Sequence, residues 1–417
     1  MTRPAQGLVA RLPGPVRAAN AMGGALRRLG VPLLPLDAEG LMARARKATG
    51  LDDFGDPRFR EGLERIVASL DGEARLTILG RQVARSDLTR ILENRLRVTE
   101  ERKRHPEIGG EHIDAPIFIV GAPRTGTSIL HELLAQDSSN RVPMTWEVMF
   151  PWPPPERASY ESDPRIAETE RHFSGVDRLL PAFKTMHPMG ARLPQECAVL
   201  TAHDFVTMVW HTQFDVPSYQ AWFEAADHRT AYEGHRSLLQ YLQWHCPGRN
   251  WVLKSPQHLW TLDALLEVYP DARLVWTHRD PYTSLASLCN TIAVAESAWT
   301  GGNPDLDEIR RLYTMQLYEH VQRAMQVRAR IGHERIHDLY YHELMRDPID
   351  TMRRLYAWAG DDFTPQIEAS MRQYLEQNPR GKHGSQSYSL EKFGLNRAEV
   401  QPLFADYLAS YPVQLDD

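Results

Sequence analysis

Three basic side chains in this 417-residue chain are placed to bind a phosphate group. Arg124 lies inside a loop with a glycine at each end, Gly121-Ala122-Pro123-Arg124-Thr125-Gly126, while Lys254 and Arg279 each follow a short apolar run. Glycines let such a loop wrap tightly, so that the N–H groups at the start of a following helix point at an anion. The residue types and their spacing therefore predict a phosphate cradle supplemented by two further cations.

The loop differs from the one that binds nucleoside triphosphates. A Walker A loop ends in Gly-Lys-Ser/Thr, whereas Gly126 is followed here by Thr127 and Ser128. A kinase or NTPase would also need an Asp at a strand end to hold Mg²⁺, and none is evident. Phosphoryl transfer remains an alternative, as do a non-catalytic nucleotide-binding module and a glycine turn that merely joins a strand to a helix.

Strand and helix patterns alternate around these cations. Buried strands are predicted where short apolar runs are rich in β-branched and aromatic residues; these runs are residues 117–120, 251–253, 273–277 and 336–341. A helical pattern follows each run, which predicts an α/β fold with a P-loop-like parallel sheet flanked by helices. Ligands of such sheets bind at the carboxyl ends of the strands. Arg124, Lys254 and Arg279 should therefore meet at one edge.

The remaining residues divide into three predicted regions. Residues 1–36 form a basic N-terminal arm, residues 37–112 a helical N-terminal subdomain, and residues 113–417 the domain that contains the sheet. Within that domain, residues 148–250 read as a helical insertion on the substrate side, rich in aromatic residues. Each aromatic side chain is by itself more typical of a core, although together they could line an apolar pocket.

The arm carries five Arg and no acidic residue before Asp37. A transit peptide or a segment lying on an anionic membrane would explain that charge. Because Pro13 and Pro15 interrupt its apolar positions, a loosely packed arm is favoured.

Composition excludes several classes of protein. The formal net charge of −6 argues against a general nucleic-acid binder. Because the sequence has no run of 18 apolar residues, no transmembrane helix is expected. The three Cys are too widely spaced for a disulfide framework or a CxxC metal site. A cytoplasmic protein without a metal site is expected, with peripheral membrane contact as an additional interpretation.

Four segments in order resemble the sulfotransferases, in particular a bacterial group with a helical N-terminal extension. They are Pro123-Arg124-Thr125-Gly126-Thr127, Trp146-Glu147, Leu253-Lys254-Ser255-Pro256-Gln257-His258 and His278-Arg279-Asp280-Pro281. The resemblance implies transfer of a sulfuryl group from 3′-phosphoadenosine 5′-phosphosulfate to a hydroxyl acceptor, without a metal. The acceptor is then a small or lipid-like molecule such as a lipid, a sterol or a glycolipid.

The resemblance also assigns residues to the nucleotide. Residues of the loop and helix start would hold the 5′-phosphosulfate, Arg279 and Ser287 the 3′-phosphate, and Tyr341 would pack beside adenine. A basic glycine segment contributes Arg380 and Lys382 to the 3′-phosphate. The cofactor-binding set is thus Pro123, Arg124, Thr125, Gly126, Thr127, Ser128, Arg279, Ser287, Tyr341, Arg380 and Lys382. Ile129 departs from the pattern of cytosolic relatives, which have an aromatic ring there.

The predicted catalytic residues are Glu147, Lys254, Arg124 and His258. Arg124 and Lys254 would stabilise the negative charge that grows on the leaving phosphate. The acceptor hydroxyl must lose its proton as it attacks, so a carboxylate or an imidazole must stand within reach of it. The resemblance favours Glu147 as that base, with His258 orienting the acceptor or a phosphate oxygen; the reverse assignment is the alternative.

Overall fold

The computed structural model describes residues 12–31, 33–179, 189–379 and 393–416. Its centre is a sheet of four parallel strands: β1 (Ile117–Gly121), β2 (Val252–Lys254), β3 (Arg273–His278) and β4 (Ile336–Tyr340), in the order β2-β1-β3-β4. Ile117 pairs with Val252 on one side and with Arg273 on the other. The predicted α/β fold with a parallel sheet is confirmed.

The sheet separates two apolar cores because successive side chains of a strand point to opposite faces. Phe118 and Val120 of β1 pack into one core, while Ile117 and Ile119 pack into the other. Every residue of β1 is buried, which is the reason that its sequence is continuously apolar rather than alternating.

Helices cover both faces of the sheet and extend the chain at its N-terminal side. Before β1 they are α1 (Gly14–Arg28), α2 (Ala38–Thr49), α3 (Phe59–Gly72) and α4 (Ile78–Arg104). Between β1 and β2 they are α5 (Thr127–Leu134), α6 (Thr145–Met149), α7 (Pro164–Leu179), α8 (Cys197–Thr201), α9 (Val209–Gln213), α10 (Pro217–Ala225) and α11 (Arg229–Gln243). After β2 they are α12 (His258–Val268), α13 (Pro281–Thr300), α14 (Leu306–Ile331), α15 (Tyr341–Arg346), α16 (Pro348–Ala359), α17 (Pro365–Gln377), α18 (Arg397–Val400) and α19 (Ala405–Ser410).

The N-terminal helices share a third apolar core with part of the predicted insertion. Leu63 and Leu92 of α3 and α4 pack in the same cluster as Trp210, Tyr219 and Phe223. Seven of the thirteen aromatic side chains that the structure describes in the insertion are core residues with an exposed fraction of 1% or less: Phe205, Trp210, Phe214, Tyr219, Phe223, Tyr232 and Tyr241. The domain boundaries at 36/37 and 112/113 remain predictions.

The prediction that the prolines break the N-terminal pattern is wrong for residues 14–28. Pro13 is the N-cap of α1 and Pro15 lies in its first turn, where the missing N–H group would have no partner within the helix. None of the described helices is long and apolar enough to cross a membrane.

Candidate functional site

The glycine loop after β1 is held in a narrow turn. Gly126 and Arg124 both adopt positive φ, 93° and 69°, a conformation that non-glycine residues rarely have. A Cβ atom on Gly121 would lie 2.1 Å from Thr277 Oγ1 of β3. Thr125 points inward, donating to the Ala122 carbonyl at 2.7 Å and sharing a 2.6 Å hydrogen bond with Thr277. Its side chain therefore ties the loop to β3.

Helix α5 starts directly from this loop. Its N-cap is Gly126, which has no side chain to accept hydrogen bonds from the first turn. The N–H groups of that turn, with the positive end of the helix dipole, suit an anion. Thr127 is buried, Ser128 is exposed and Pro123 is half-buried. The predicted phosphate loop thus has the strand–turn–helix geometry expected of it.

Lys254 reaches this helix start from the neighbouring strand. It ends β2, its side chain is 4% exposed, and its Nζ lies 2.6 Å from Glu196 Oε1 and 3.5 Å from Ser128 Oγ. Glu196 precedes α8 and its side chain is 21% exposed. A carboxylate and an ammonium group therefore stand together beside the first turn of α5.

Arg279 approaches the loop from the other side, after β3. Its Nη1 donates to the Arg124 carbonyl at 2.9 Å, and its guanidinium lies over the Tyr341 ring, 3.9 Å from the centroid. Tyr341 also borders Gly126, because a Cβ atom there would meet its ring at 3.3 Å. The structure therefore brings Arg124, Arg279 and Tyr341 together, as the strand ends predict.

The third contact of Arg279 involves a carboxylate that the sequence interpretation did not include. Asp416 Oδ2 accepts from Arg279 Nε at 2.8 Å, and the Asp416 backbone N–H donates to Asp280 at 3.2 Å. Arg397 completes the group by donating to Asp280 Oδ2 and to the Asp416 carbonyl. An acidic side chain thus lies against the Nε side of the Arg279 guanidinium.

Ser287 lies on α13, two turns after its N-cap. Asp280 accepts from Tyr282 N at 3.0 Å, so its side chain caps the start of this helix. Ser287 is 1% exposed and its Oγ, like that of Ser284, is buried without a hydrogen-bond partner. A buried hydroxyl without a partner is unusual and is consistent with a site that receives a polar group. Arg380 and Lys382 lie outside the described residues.

Glu147 is in a different environment from the one its predicted role needs. It is 0% exposed, and its two oxygens accept from Arg141 Nη1 and Nη2 at 2.7 and 2.5 Å. The same carboxylate also accepts from Met144 N and from the Tyr160 hydroxyl. Burial opposes the charge on Arg141, but the Glu147 carboxylate outweighs it and raises the pKa of that guanidinium. This is the geometry of a structural ion pair, and it argues against Glu147 as a proton acceptor.

His258 begins α12 and lies in the core. It is 1% exposed, its ring meets Phe118 edge-on at 5.1 Å, and its Nδ1 is 2.6 Å from the Tyr232 hydroxyl. Burial, aided by His235 and Lys254, lowers the pKa of this imidazole well below its usual value. Its Nε2 has no partner. The structure therefore does not place His258 with the exposed side chains of the loop.

Sequence reasoning missed Glu196 and Asp416 because no local pattern marks them. Glu196 lies in the insertion and contacts Lys254 only because residues 194–196 return to the sheet edge. There Pro194 forms an isolated antiparallel β-bridge with Met144. The described residues contain no group of three His, Cys, Asp or Glu side chains that could hold a metal ion.

Comparison with known proteins gives consistent results. Residues 116–365 match the model of the sulfotransferase family. The crystal structure of sulfotransferase STF9 from Mycobacterium avium has a TM-score of 0.84 and 35% identity, covering 91% of this chain and 98% of that one. STF1 from Mycobacterium tuberculosis H37Rv has a TM-score of 0.79 and 31% identity, covering 90% and 100%.

A curated relative from Mycobacterium tuberculosis is named omega-hydroxy-beta-dihydromenaquinone-9 sulfotransferase Stf3. It is 26% identical over 291 residues, which are 67% of this chain and 71% of the relative. The matched family region includes the glycine loop, Glu196, Lys254, Arg279 and Tyr341. The chain belongs to the sulfotransferase family.

Proposed function

We propose that this protein transfers a sulfuryl group from 3′-phosphoadenosine 5′-phosphosulfate to the hydroxyl of an apolar, lipid-like acceptor. The observation that carries the proposal is the convergence of Arg124, Lys254 and Arg279 on one glycine loop and helix start. Two separate anion positions result, one at the start of α5 beside Lys254 and one at Arg279. A nucleotide with phosphates on both its 5′ and 3′ carbons needs two such positions.

The residues present fit that nucleotide. Gly126 leaves room where a Cβ atom would press on Leu344 and Tyr341. Ser287 offers an unpartnered hydroxyl on the helix that Asp280 caps. Tyr341 offers an aromatic ring beside the loop, against which adenine would pack. When bound, the donor supplies an SO₃ unit whose bond to the 5′-phosphate oxygen breaks as a new S–O bond to the acceptor forms. Lys254 and the N–H groups of α5 then stabilise the charge on the phosphate.

For the base we propose Glu196 in place of Glu147. Glu196 is the carboxylate that contacts Lys254, and it is partly exposed, so an acceptor hydroxyl can reach it. Its oxygen would take the proton that the hydroxyl loses, while Lys254 holds the carboxylate in position. Glu147 is fully buried, and its two oxygens together already accept four hydrogen bonds, from Arg141, Tyr160 and Met144 N.

The proposed acceptor class is supported by the relative Stf3, which is named for a hydroxylated menaquinone. The test is transfer of radiolabelled sulfate to lipid and glycolipid extracts, with analysis of the labelled product. Labelling that requires the 3′-phosphorylated donor supports the proposal. Phosphoryl transfer from ATP with Mg²⁺ would instead show that the protein is a phosphoryl transferase.

A first prediction concerns the nucleotide. Adenosine 3′,5′-bisphosphate should raise the melting temperature far more than AMP, because only the bisphosphate reaches both anion positions. Arg279→Ala should remove charge-assisted hydrogen bonds of roughly 1.5–3 kcal/mol and abolish most of that difference. The measurement is a thermal-shift titration with both nucleotides, and Arg310→Ala on α14 serves as the control. Equal stabilisation by AMP and the bisphosphate would contradict the assignment of Arg279.

A second prediction concerns Asp416. Because its carboxylate pairs with Arg279, Asp416→Asn should tighten bisphosphate binding by about two- to fivefold, the scale of a partly exposed ion pair. Isothermal titration would measure the change, with Asp406→Asn as the matched control. Unchanged or weaker binding in Asp416→Asn would show that this carboxylate does not compete with the nucleotide.

A further inference from the structure

Helix α1 faces the protein with its polar side. Asn20 accepts a hydrogen bond from Leu79 N at 3.1 Å, and Arg27 donates to the Asp71 carbonyl at 3.3 Å. Gly23, the one buried residue of the helix, lies so close to α4 that a Cβ atom would meet Ile78 at 2.1 Å. Residues 16, 20, 23 and 27 therefore form the side that contacts α3 and α4.

The opposite side of α1 is apolar and turned outward. At 3.6 residues per turn its outermost positions are Ala18, Met22, Ala25 and Leu29. All four are exposed. Met22 and Leu29 are 62% and 78% exposed, which makes them the two most exposed large apolar side chains in the described part of the chain. An ordinary surface helix packs its apolar side inward, so the orientation of α1 is the reverse of the usual one.

Positive charge lies beside this face. Residues 12–31 contain Arg17, Arg27 and Arg28 and no acidic residue, in a protein whose net charge is −6. Beneath α1, a cavity of about 790 Å³ is lined by Arg17, Arg27, Arg75 and Arg81 and by no Asp or Glu. Arg81 pairs with Asp71 and Arg75 with Asp215, yet basic side chains predominate at this end of the molecule.

We propose that the outward face of α1 docks on an anionic lipid surface. Met22 and Leu29 would enter the boundary between headgroups and acyl chains, while Arg17 and Arg28 extend along the helix to lipid phosphates. A helix of 15 residues is about 22 Å long, which allows it to lie flat in that boundary.

A second copy of the chain fits the face less well. A symmetric pair would place the arginines of one α1 near those of the other, and like charges oppose association. A stable dimer also buries about 800 Å² on each partner, and two of the four outward residues are Ala.

The test uses the full chain and vesicles of phosphatidylcholine, with or without about a third of phosphatidylglycerol. The wild-type protein should co-sediment with the anionic vesicles at least tenfold better than with the neutral ones, and salt should weaken the binding. The double substitution Met22→Asp and Leu29→Asp should reduce that binding at least tenfold. Both side chains are exposed, so the melting temperature should stay that of the wild type.

Two further variants complete the test. Met315→Asp, at a site that is 43% exposed on α14, should bind vesicles as the wild type does. Arg17→Glu with Arg28→Glu should weaken binding to anionic vesicles only. If the Met22/Leu29 double variant bound vesicles as the wild type does, the proposal would be overturned. The proposal would also be overturned if this variant changed from dimer to monomer without losing vesicle binding, because the outward face would then be an interface between copies. Because the readout is binding, the outcome does not depend on the sulfotransferase reaction.

Discussion

Replacing Glu196 by Gln should lower kcat roughly 10²–10⁴-fold, the range expected when a general base is lost. Gln keeps the shape and an oxygen that Lys254 can bind, so the affinity for adenosine 3′,5′-bisphosphate should not fall. The measurement combines sulfate transfer under saturating acceptor with titration of the bisphosphate.

Glu156→Gln is the matched control, because Glu156 is an exposed carboxylate in the same insertion. It should leave both the rate and the bisphosphate affinity unchanged. Near-normal turnover in Glu196→Gln would mean that the carboxylate only positions Lys254, and the proton would then need another acceptor.

The second large effect is expected on stability rather than on turnover. Glu147→Gln removes the negative charge opposite Arg141 and leaves a buried guanidinium with no counter-charge, which costs about 3–5 kcal/mol of unfolding free energy. Urea denaturation would show a lower midpoint with an unchanged slope. The fraction that remains folded should transfer sulfate at the wild-type rate.

The double variant Arg141→Met with Glu147→Met separates charge from packing. Replacing a buried ion pair by apolar side chains is often nearly neutral, but Arg141 also donates to the carbonyls of Cys246 and Leu242. The double variant should therefore regain much, but not all, of the unfolding free energy that Glu147→Gln loses. A large loss of turnover per folded molecule in Glu147→Gln, with normal stability, would restore Glu147 as the base.

Cations at strand ends were predictable because parallel strands place their carboxyl ends at one edge. That rule located Arg124, Lys254 and Arg279 from apolar runs alone, and the observed sheet confirms their convergence. The loop and the cap at Asp280 follow from local residue types in the same way. Their geometry depends on neighbours within a few positions, which is the information that a sequence displays directly.

The carboxylates could not be predicted in this way. Whether Glu147 faces the cleft or the core depends on Arg141, which is anchored by the Leu242 and Cys246 carbonyls a hundred residues further along the chain. Glu196 acquires its contact with Lys254 through the return of the insertion to the sheet edge, and Asp416 contacts Arg279 from 137 residues further along the chain. The effect of Pro13 and Pro15 could not be predicted for a related reason, because it depends on where α1 begins.

The pairing of β1 with distant strands has a consequence for folding kinetics. Ile117 pairs with Val252 and Phe118 with Leu274, so every partner of β1 is separated from it by more than a hundred residues. Closing such long loops is entropically costly before any contact offsets it, and folding that depends on distant contacts is slow. During synthesis the glycine loop therefore exists long before the strands that supply Lys254 and Arg279. Its apolar strand stays without partners over that interval, which makes the nascent chain a substrate for chaperones.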